Sequence, residues 1–352
     1  MVGSSADFVR RLRRWYGAHR RDLPWRLGLG DSAKGKLNPY HVLVSEAMLQ
    51  QTQVATVITY FNRFIEQFPR LEDLANADAQ QVLRAWQGLG YYSRARNLQS
   101  AAKIIVADFG GEVPSSVEEL LKLPGVGRYT AGAISSIAFE KRSPILDGNV
   151  ARVLCRLDGV RGDPREPATR EELWRRAEEI LPGRKIGDFN SALMELGAMI
   201  CSPRSPQCLI CPVRDHCAAR AAGLENLIPP AKRGKVTPLL RRWTFCIRSG
   251  DRYLIQQRPG KGRCAGMWQF FTVEARDTPP SVDLLRSQFS LGVSELIRLG
   301  IVEHALTHRR YRFEIFSCEC RTSGDGKWST LEELDHLPMP RPQLKIREML
   351  LL

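Results

Sequence analysis

The sequence predicts a mainly α N-terminal part followed by a smaller α+β domain, and three observations carry that prediction. From Asp7 to about Ala222 apolar residues recur at three- and four-residue spacing, the period of helices with one buried face. Past Pro238 the pattern becomes short aromatic and β-branched runs, at Arg242–Ile247, Tyr253–Gln256, Met267–Val273 and Tyr311–Cys318, which read as strands. Between them, Leu227–Pro238 is rich in Pro and Gly with interspersed Lys and Arg, and reads as an extended basic linker. The expected division is 1–224, a linker at 225–240, and 241–352. The 352 residues are 43% hydrophobic and 26% charged, enough apolar mass for two cores, which excludes a fibrous or largely disordered chain.

Charge and cysteine usage narrow the function classes. The formal net charge is +14, from 52 Lys and Arg against 38 Asp and Glu, a field that attracts polyanions, with nucleic acid the first candidate. Residues 1–220 hold 31 basic and 24 acidic residues and residues 221–352 hold 21 and 14, so each part is +7 and both can meet the polyanion. No apolar run approaches a membrane span and the N-terminus has no apolar stretch of a secretory signal. The expected protein is a monomer inside the cell, cytoplasmic or nucleoid-associated, with no membrane partner. Nine cysteines there suggest metal or cluster ligation rather than disulfides.

Four of them form Cys201-x6-Cys208-x2-Cys211-x5-Cys217, a thiolate set suited to an iron–sulfur cluster or to tetrahedral zinc, although the long first gap is unlike paired zinc knuckles. Upstream, Leu123-Pro-Gly-Val-Gly-Arg-Tyr-Thr130 follows a capping box at Ser115–Glu118 and looks like a helix–hairpin–helix. Gly125 and Gly127 would allow a tight turn whose amides face a phosphate; a plain helical corner is the ordinary alternative.

Two acids stand out. Asp147, in Leu146-Asp-Gly-Asn-Val150, should cap a helix whose face is Val150, Val153, Leu154 and Leu157, and by itself is a cap and nothing more. Glu46 lies in the strongly apolar stretch His41–Ile58, expected as one helix. A buried Glu needs a reason, since desolvation raises its pKa and holds a proton near neutrality, as a general acid requires. Paired with a charged Asp147, it would supply the donor and the stabiliser for cleavage through an oxocarbenium-like state.

Ser45-Glu-Ala-Met-Leu-Gln-Gln-Thr-Gln53, Gly88-Leu-Gly-Tyr-Tyr-Ser-Arg-Ala-Arg-Asn97, the hairpin, Asp147-Gly-Asn-Val150 and the four cysteines together resemble the MutY-type adenine DNA glycosylases across residues 8–220. The resemblance implies a helix–hairpin–helix glycosylase fold with a [4Fe-4S] cluster on Cys201, Cys208, Cys211 and Cys217, followed by a Nudix-like domain. It implies excision of adenine mispaired with 8-oxoguanine or guanine in duplex DNA. Glu46 would protonate N7 of a flipped-out adenine, Asp147 would stabilise the sugar cation, and Asn149 would support them. Gln51 and Tyr91 would wedge into the duplex, Trp25 and Arg26 would line the adenine pocket, and Gly125, Val126, Gly127 and Thr130 would meet the DNA backbone. Where related endonuclease III-type enzymes carry a hairpin lysine for strand cleavage, this chain has Tyr129, so cleavage by that route is not expected.

Three departures accompany the resemblance. Residues 27–37 look like a loop insertion. Ser191 replaces a longer polar residue facing adenine. In the C-terminal domain, Gly266-Met-Trp-Gln-Phe270 resembles a family strand although Phe271 replaces a proline, and Leu306, Thr307 and His308 stand in the place of an 8-oxoguanine-contacting loop. The REx2EE spacing of Nudix hydrolases is absent, so that domain should bind rather than hydrolyse. Two alternatives are a pyrimidine-directed glycosylase/lyase, which should carry the hairpin lysine, and a non-catalytic DNA-binding protein, which has no use for an acid at Glu46.

Overall fold

A computed structural model describes residues 5–26, 37–231, 236–276, 280–289, 292–306, 309–320 and 326–351. The helices are α1 Ser5–His19, α2 Pro39–Leu49, α3 Val54–Gln67, α4 Leu71–Asn76, α5 Ala79–Ala85, α6 Ser93–Phe109, α7 Val117–Leu120, α8 Arg128–Phe139, α9 Gly148–Asp158, α10 Pro167–Glu179, α11 Ile186–Met199 and α12 Ala218–Ala221. Six strands follow, β1 Leu239–Ser249, β2 Arg252–Gln257, β3 Trp268–Glu274, β4 Ile297–Leu306, β5 Arg309–Glu319 and β6 Lys327–Thr330, with α13 Val282–Phe289 between β3 and β4 and α14 Arg341–Leu350 at the end. The chain forms two compact units, Met1–Asn76 with Asn97–Arg233, and Ala77–Arg96 with Gly234–Leu352.

In the first unit, α1, α9, α10 and α11 enclose Phe8, Leu12, Val150, Leu154, Trp174, Phe189 and Leu193. The expected face of α9 is buried at Val150, Val153 and Leu154, with Leu157 half-buried. Helix α2 opens with Asn38 accepting from the Tyr40 amide (2.9 Å) and Pro39 in its first turn, and is buried on nearly every side from Tyr40 to Glu46. The single helix expected over His41–Ile58 is in fact two. It breaks at Gln50–Gln53, where Gln51 adopts φ 58°, because four consecutive polar residues cannot continue an all-round buried helix.

Two further local expectations are corrected. The capping box lies one residue on, with Ser116 Oγ accepting from the Glu119 amide (3.2 Å). The Ser115 carbonyl is instead engaged by Ser135 Oγ (2.8 Å). The linker is not extended from its start, because Ile228 is buried in the helical core and its carbonyl accepts from Arg156 Nε (2.8 Å).

The second unit is built on a mixed sheet of order β4-β5-β1-β3-β2-β6. Strands β1 and β5 are parallel, pairing Leu239–Arg248 with Arg310–Glu319; the remaining neighbours are antiparallel. Both faces are covered, which explains the unbroken buried run Trp243–Ile247 in β1. Phe245, Phe271, Leu285 and Phe316 pack on one side; Phe270, Val302, Ile315 and Ile346 pack on the other. Residues 77–96, including α5, fold with this sheet.

Candidate active site

Glu46 is 6% exposed, on the buried helix α2. Burial pushes its carboxyl up to about 7, with the Tyr129 hydroxyl bond lowering it, the nearby Asp147 charge raising it and Arg26 lowering it. A carboxyl at that value is half protonated at neutral pH, the condition for a general acid. The hydroxyl of Tyr129, from α8, also lies 3.2 Å from Met194 Sδ, and burial beside the two carboxyls drives its own pKa well above the ordinary phenol value. The hydroxyl therefore stays protonated as a donor to Glu46.

Asp147 is the N-cap of α9, accepting from the Val150 amide at 2.7 Å and from Asn149 Nδ2 at 3.2 Å. Its tuning differs from that expected for a simple charged cap. Burial raises its pKa, and the Val150 and Asn149 amides offset only part of that rise. Asn149 is held in turn, its Oδ1 accepting from Arg152 NH2 at 2.8 Å. Arg152 also donates to the carbonyls of Gly197 (2.8 Å) and Cys201 (2.7 Å). At Gly197 the helices are so close that an added Cβ would lie 2.6 Å from Asn149 Cβ, so a larger residue would displace the asparagine.

The hairpin joins α7 to α8. Gly125 has φ +80°, and a Cβ there would meet Asn97 Cβ at 2.8 Å. Gly127, expected to share this role, is extended at φ −98°, ψ 179° and caps α8 without a side chain over the helix end. Val126 and Thr130 are buried, so their side chains do not face a phosphate. The cap leaves α8 amides available to an anion.

Trp25 is buried edge-on to Phe61, with ring centroids 5.4 Å apart. Arg26 lies over the Tyr16 ring at 5.7 Å, and Tyr16 is hydrogen-bonded to the buried Ser191. The feature the sequence reasoning passed over is Glu195, 1% exposed in α11. It accepts from Arg21 Nε at 2.6 Å, Arg21 NH2 at 2.9 Å and Arg26 NH2 at 3.3 Å. Burial raises its pKa but the two arginines outweigh it, and the net shift is downward. The signal was available: an acid within the apolar run Ile186–Met199, the same anomaly that marks Glu46.

Cys201, Cys208, Cys211 and Cys217 are all half-buried and near enough for their charges to interact. Burial pushes the Cys211 thiol up to about 12. Thiolates in this loop thus require a compensating cation, and iron supplies one. Arg156 NH1 lies 3.2 Å from Cys201 Sγ, a donor suited to a cluster thiolate. The donor set fits an iron–sulfur cluster.

Gln51 and Tyr91 are both exposed and both in the left-handed backbone region, at φ 58° and 47°. Leu306 ends β4 and is 38% exposed; Thr307, His308 and residues 27–36 lie outside the described residues. Among the described residues no helix is long and apolar enough to cross a membrane.

A helical unit with a glycine hairpin, a buried glutamate beside a capping aspartate and a four-cysteine loop places the chain among the helix–hairpin–helix DNA glycosylases that carry an iron–sulfur loop. Residues 44–179 match the HhH-GPD superfamily of base excision DNA repair proteins, 201–217 the iron–sulfur binding domain of endonuclease III, and 243–349 the NUDIX domain. Curated adenine DNA glycosylases are similar over most of the chain. That of Rattus norvegicus is 35% identical over 98% of this chain and 78% of its own length. That of Homo sapiens is 37% identical over 86% and 65%, and that of Buchnera aphidicola subsp. Acyrthosiphon pisum 36% over 95% and 95%. Among solved structures, a thermostable thymine-DNA glycosylase superposes with TM-score 0.55 at 31% identity over 62% of this chain and 97% of that one. A trapped endonuclease III–DNA intermediate gives TM-score 0.52 at 24% identity over 63% and 99%, a likeness of fold. The chain belongs to the adenine DNA glycosylase family, base excision repair enzymes that act on DNA, and it carries a [4Fe-4S] cluster loop and a C-terminal Nudix-like domain.

Proposed function

We propose that the enzyme hydrolyses the N-glycosidic bond of adenine mispaired with 8-oxoguanine, and of adenine opposite guanine more weakly. The observation that carries this reading is the buried Glu46, held at about 7 and hydrogen-bonded by Tyr129 beside Asp147. Glu46 gives its proton to N7 of the extruded adenine, the C1′–N9 bond breaks, and the bonding pair leaves with the base. Asp147, held by the Val150 amide and Asn149, faces the positive charge that develops on the sugar. Water adds at C1′ and loses a proton. Trp25 and Arg26 line the pocket for the base, Gln51 and Tyr91 enter the space the adenine leaves, and the backbone at Gly125, Val126, Gly127 and Thr130 holds a phosphate. Cys201, Cys208, Cys211 and Cys217 ligate the cluster, which scaffolds the DNA-binding face. Leu306, Thr307 and His308 contact the oxidised base.

With Tyr129 in place of an amine, no Schiff base forms and the enzyme is monofunctional. Incubation with duplexes carrying A:8-oxoguanine, A:G or an oxidised pyrimidine, with and without alkali, tests this. Nicks at adenine that appear only after alkali, fastest opposite 8-oxoguanine, are expected. Excision of the oxidised pyrimidine with direct strand scission would overturn the proposal.

A further inference from the structure

The Gly88–Tyr92 loop is more heavily braced than an exposed turn requires. Trp86 Nε1 donates to the Gly90 carbonyl (3.2 Å), Arg94 NH2 to the carbonyls of Leu89 (3.2 Å) and Gly90 (3.1 Å), and the Gly88 amide to the Tyr92 hydroxyl (3.2 Å). At its crest Tyr91 combines φ 47° with 46% exposure. A tyrosine in the left-handed region is disfavoured and persists only where its surroundings impose it. With 46% of its surface exposed and Arg94 over its ring at 5.6 Å, the tyrosine gains only part of the burial a core tyrosine would, so the strain serves presentation of the ring more than folding.

The surroundings that impose it lie in the sheet-based unit. On α5, Gln80 uses both ends of its amide: Nε2 donates to the Gly266 carbonyl (3.0 Å) and Oε1 accepts from Trp268 Nε1 (3.0 Å). Gln87, at the entrance to the loop, accepts from the Met339 amide at 2.9 Å. Arg96, on its exit, donates to the Ala265 carbonyl at 3.0 Å. Gly266 and Trp268 are themselves fixed, since Gln257 Nε2 donates to Gly266 O (2.9 Å) and the Trp268 amide donates to Pro338 O (2.9 Å). Every one of these anchors is a directional polar bond, which sets orientation as apolar packing does not.

We infer that Gln80 and Gln87 are positioning residues through which the β3 turn and the Pro338–Met339 segment set how the Tyr91 loop is presented to duplex DNA. This rests on Tyr91 acting as the wedge. The unit that carries the Nudix-like sheet then governs extrusion of adenine as well as contact with its partner base.

The test uses the full chain and a duplex with 2-aminopurine opposite 8-oxoguanine, whose fluorescence rises on unstacking, followed by stopped flow. Gln80→Leu should slow extrusion about five- to tenfold, the worth of a lost hydrogen bond. Trp268→Phe, which keeps an aromatic ring at this position but removes the N–H donor and shortens the side chain, should slow it comparably. The double variant should be no slower than Gln80→Leu, because both changes break the same bond. Affinity for a duplex that already carries an abasic-site analogue, where nothing needs extruding, should hold within about twofold, a result general misfolding would not give. Wild-type extrusion in both Trp268→Phe and Gln80→Leu overturns the inference. Tyr91→Ala separates it from its basis: slow extrusion there with normal glutamine variants removes this inference alone, and normal extrusion there removes the wedge as well.

Discussion

The titration of Glu46 should govern excision through the neutral range. Its carboxyl is held at about 7 against 4.5 for an unperturbed glutamate, a difference worth about 3 kcal/mol. At pH 7 about half the molecules carry the proton, where an unperturbed carboxyl would leave roughly three in a thousand. On the general-acid reading, single-turnover excision should fall about tenfold per unit above about pH 7, level off near pH 6, and fall again at lower pH where Asp147, its own carboxyl raised by burial, takes up a proton. The same shift acts on stability with a definite sign. The folded chain binds this proton more tightly than the unfolded chain, so the cost of holding Glu46 is absent below pH 4.5, grows up to about 7 and is complete above it. Glu46→Gln should therefore lose essentially all excision yet unfold at higher urea than wild type. The gain should approach 2–3 kcal/mol at about pH 8.5 and nearly vanish at about pH 4.5. The assays are adenine release across this pH range and urea unfolding followed by circular dichroism at its two ends. A flat excision profile between about pH 6.5 and 8.5, or an equal stability difference at both ends, would refute the assignment of the raised carboxyl to Glu46.

On the same reading, Asp147→Asn removes the charge that stabilises the sugar cation while leaving an amide that can still cap α9, so excision should fall by about two to three orders of magnitude with duplex affinity retained; binding and single-turnover rates on one preparation check this. Glu195→Ala leaves Arg21 and Arg26, 35% and 18% exposed, without their shared carboxylate and should cost about 1–3 kcal/mol in urea unfolding; no measurable loss would show the arginines to be fully solvated instead. Cys208→Ser should lower iron per chain and weaken duplex binding before it affects the rate on bound substrate, measured by iron content and the salt dependence of affinity. Borohydride should trap little covalent DNA adduct with the wild type, and abundant adduct would contradict the place given to Tyr129.

Local pattern determined much of this protein. Three- and four-residue spacing marked the helical part, and aromatic runs marked the strands, because those periods follow from backbone geometry alone. The four cysteines and the hairpin were legible as motifs, and Asp147 was legible as a helix cap because capping involves only residues a few positions apart. Glu46 could be singled out from the apolar residues around it, since burial of that stretch left its charge nowhere to go.

What only the tertiary structure decided concerns groups distant in the chain. The break at Gln50–Gln53 depends on α2 being enclosed on nearly all sides, which its own residues do not specify. The Asp147 carboxyl is raised above its ordinary value because burial around it outweighs its capping amides. Glu195 finds Arg21 across 174 positions, and Gln80 finds Trp268 across 188. Desolvation and charge pairing are summed over whichever surfaces meet in the fold, so the acidity of a carboxyl and the bracing of a loop are set by packing that no local period encodes.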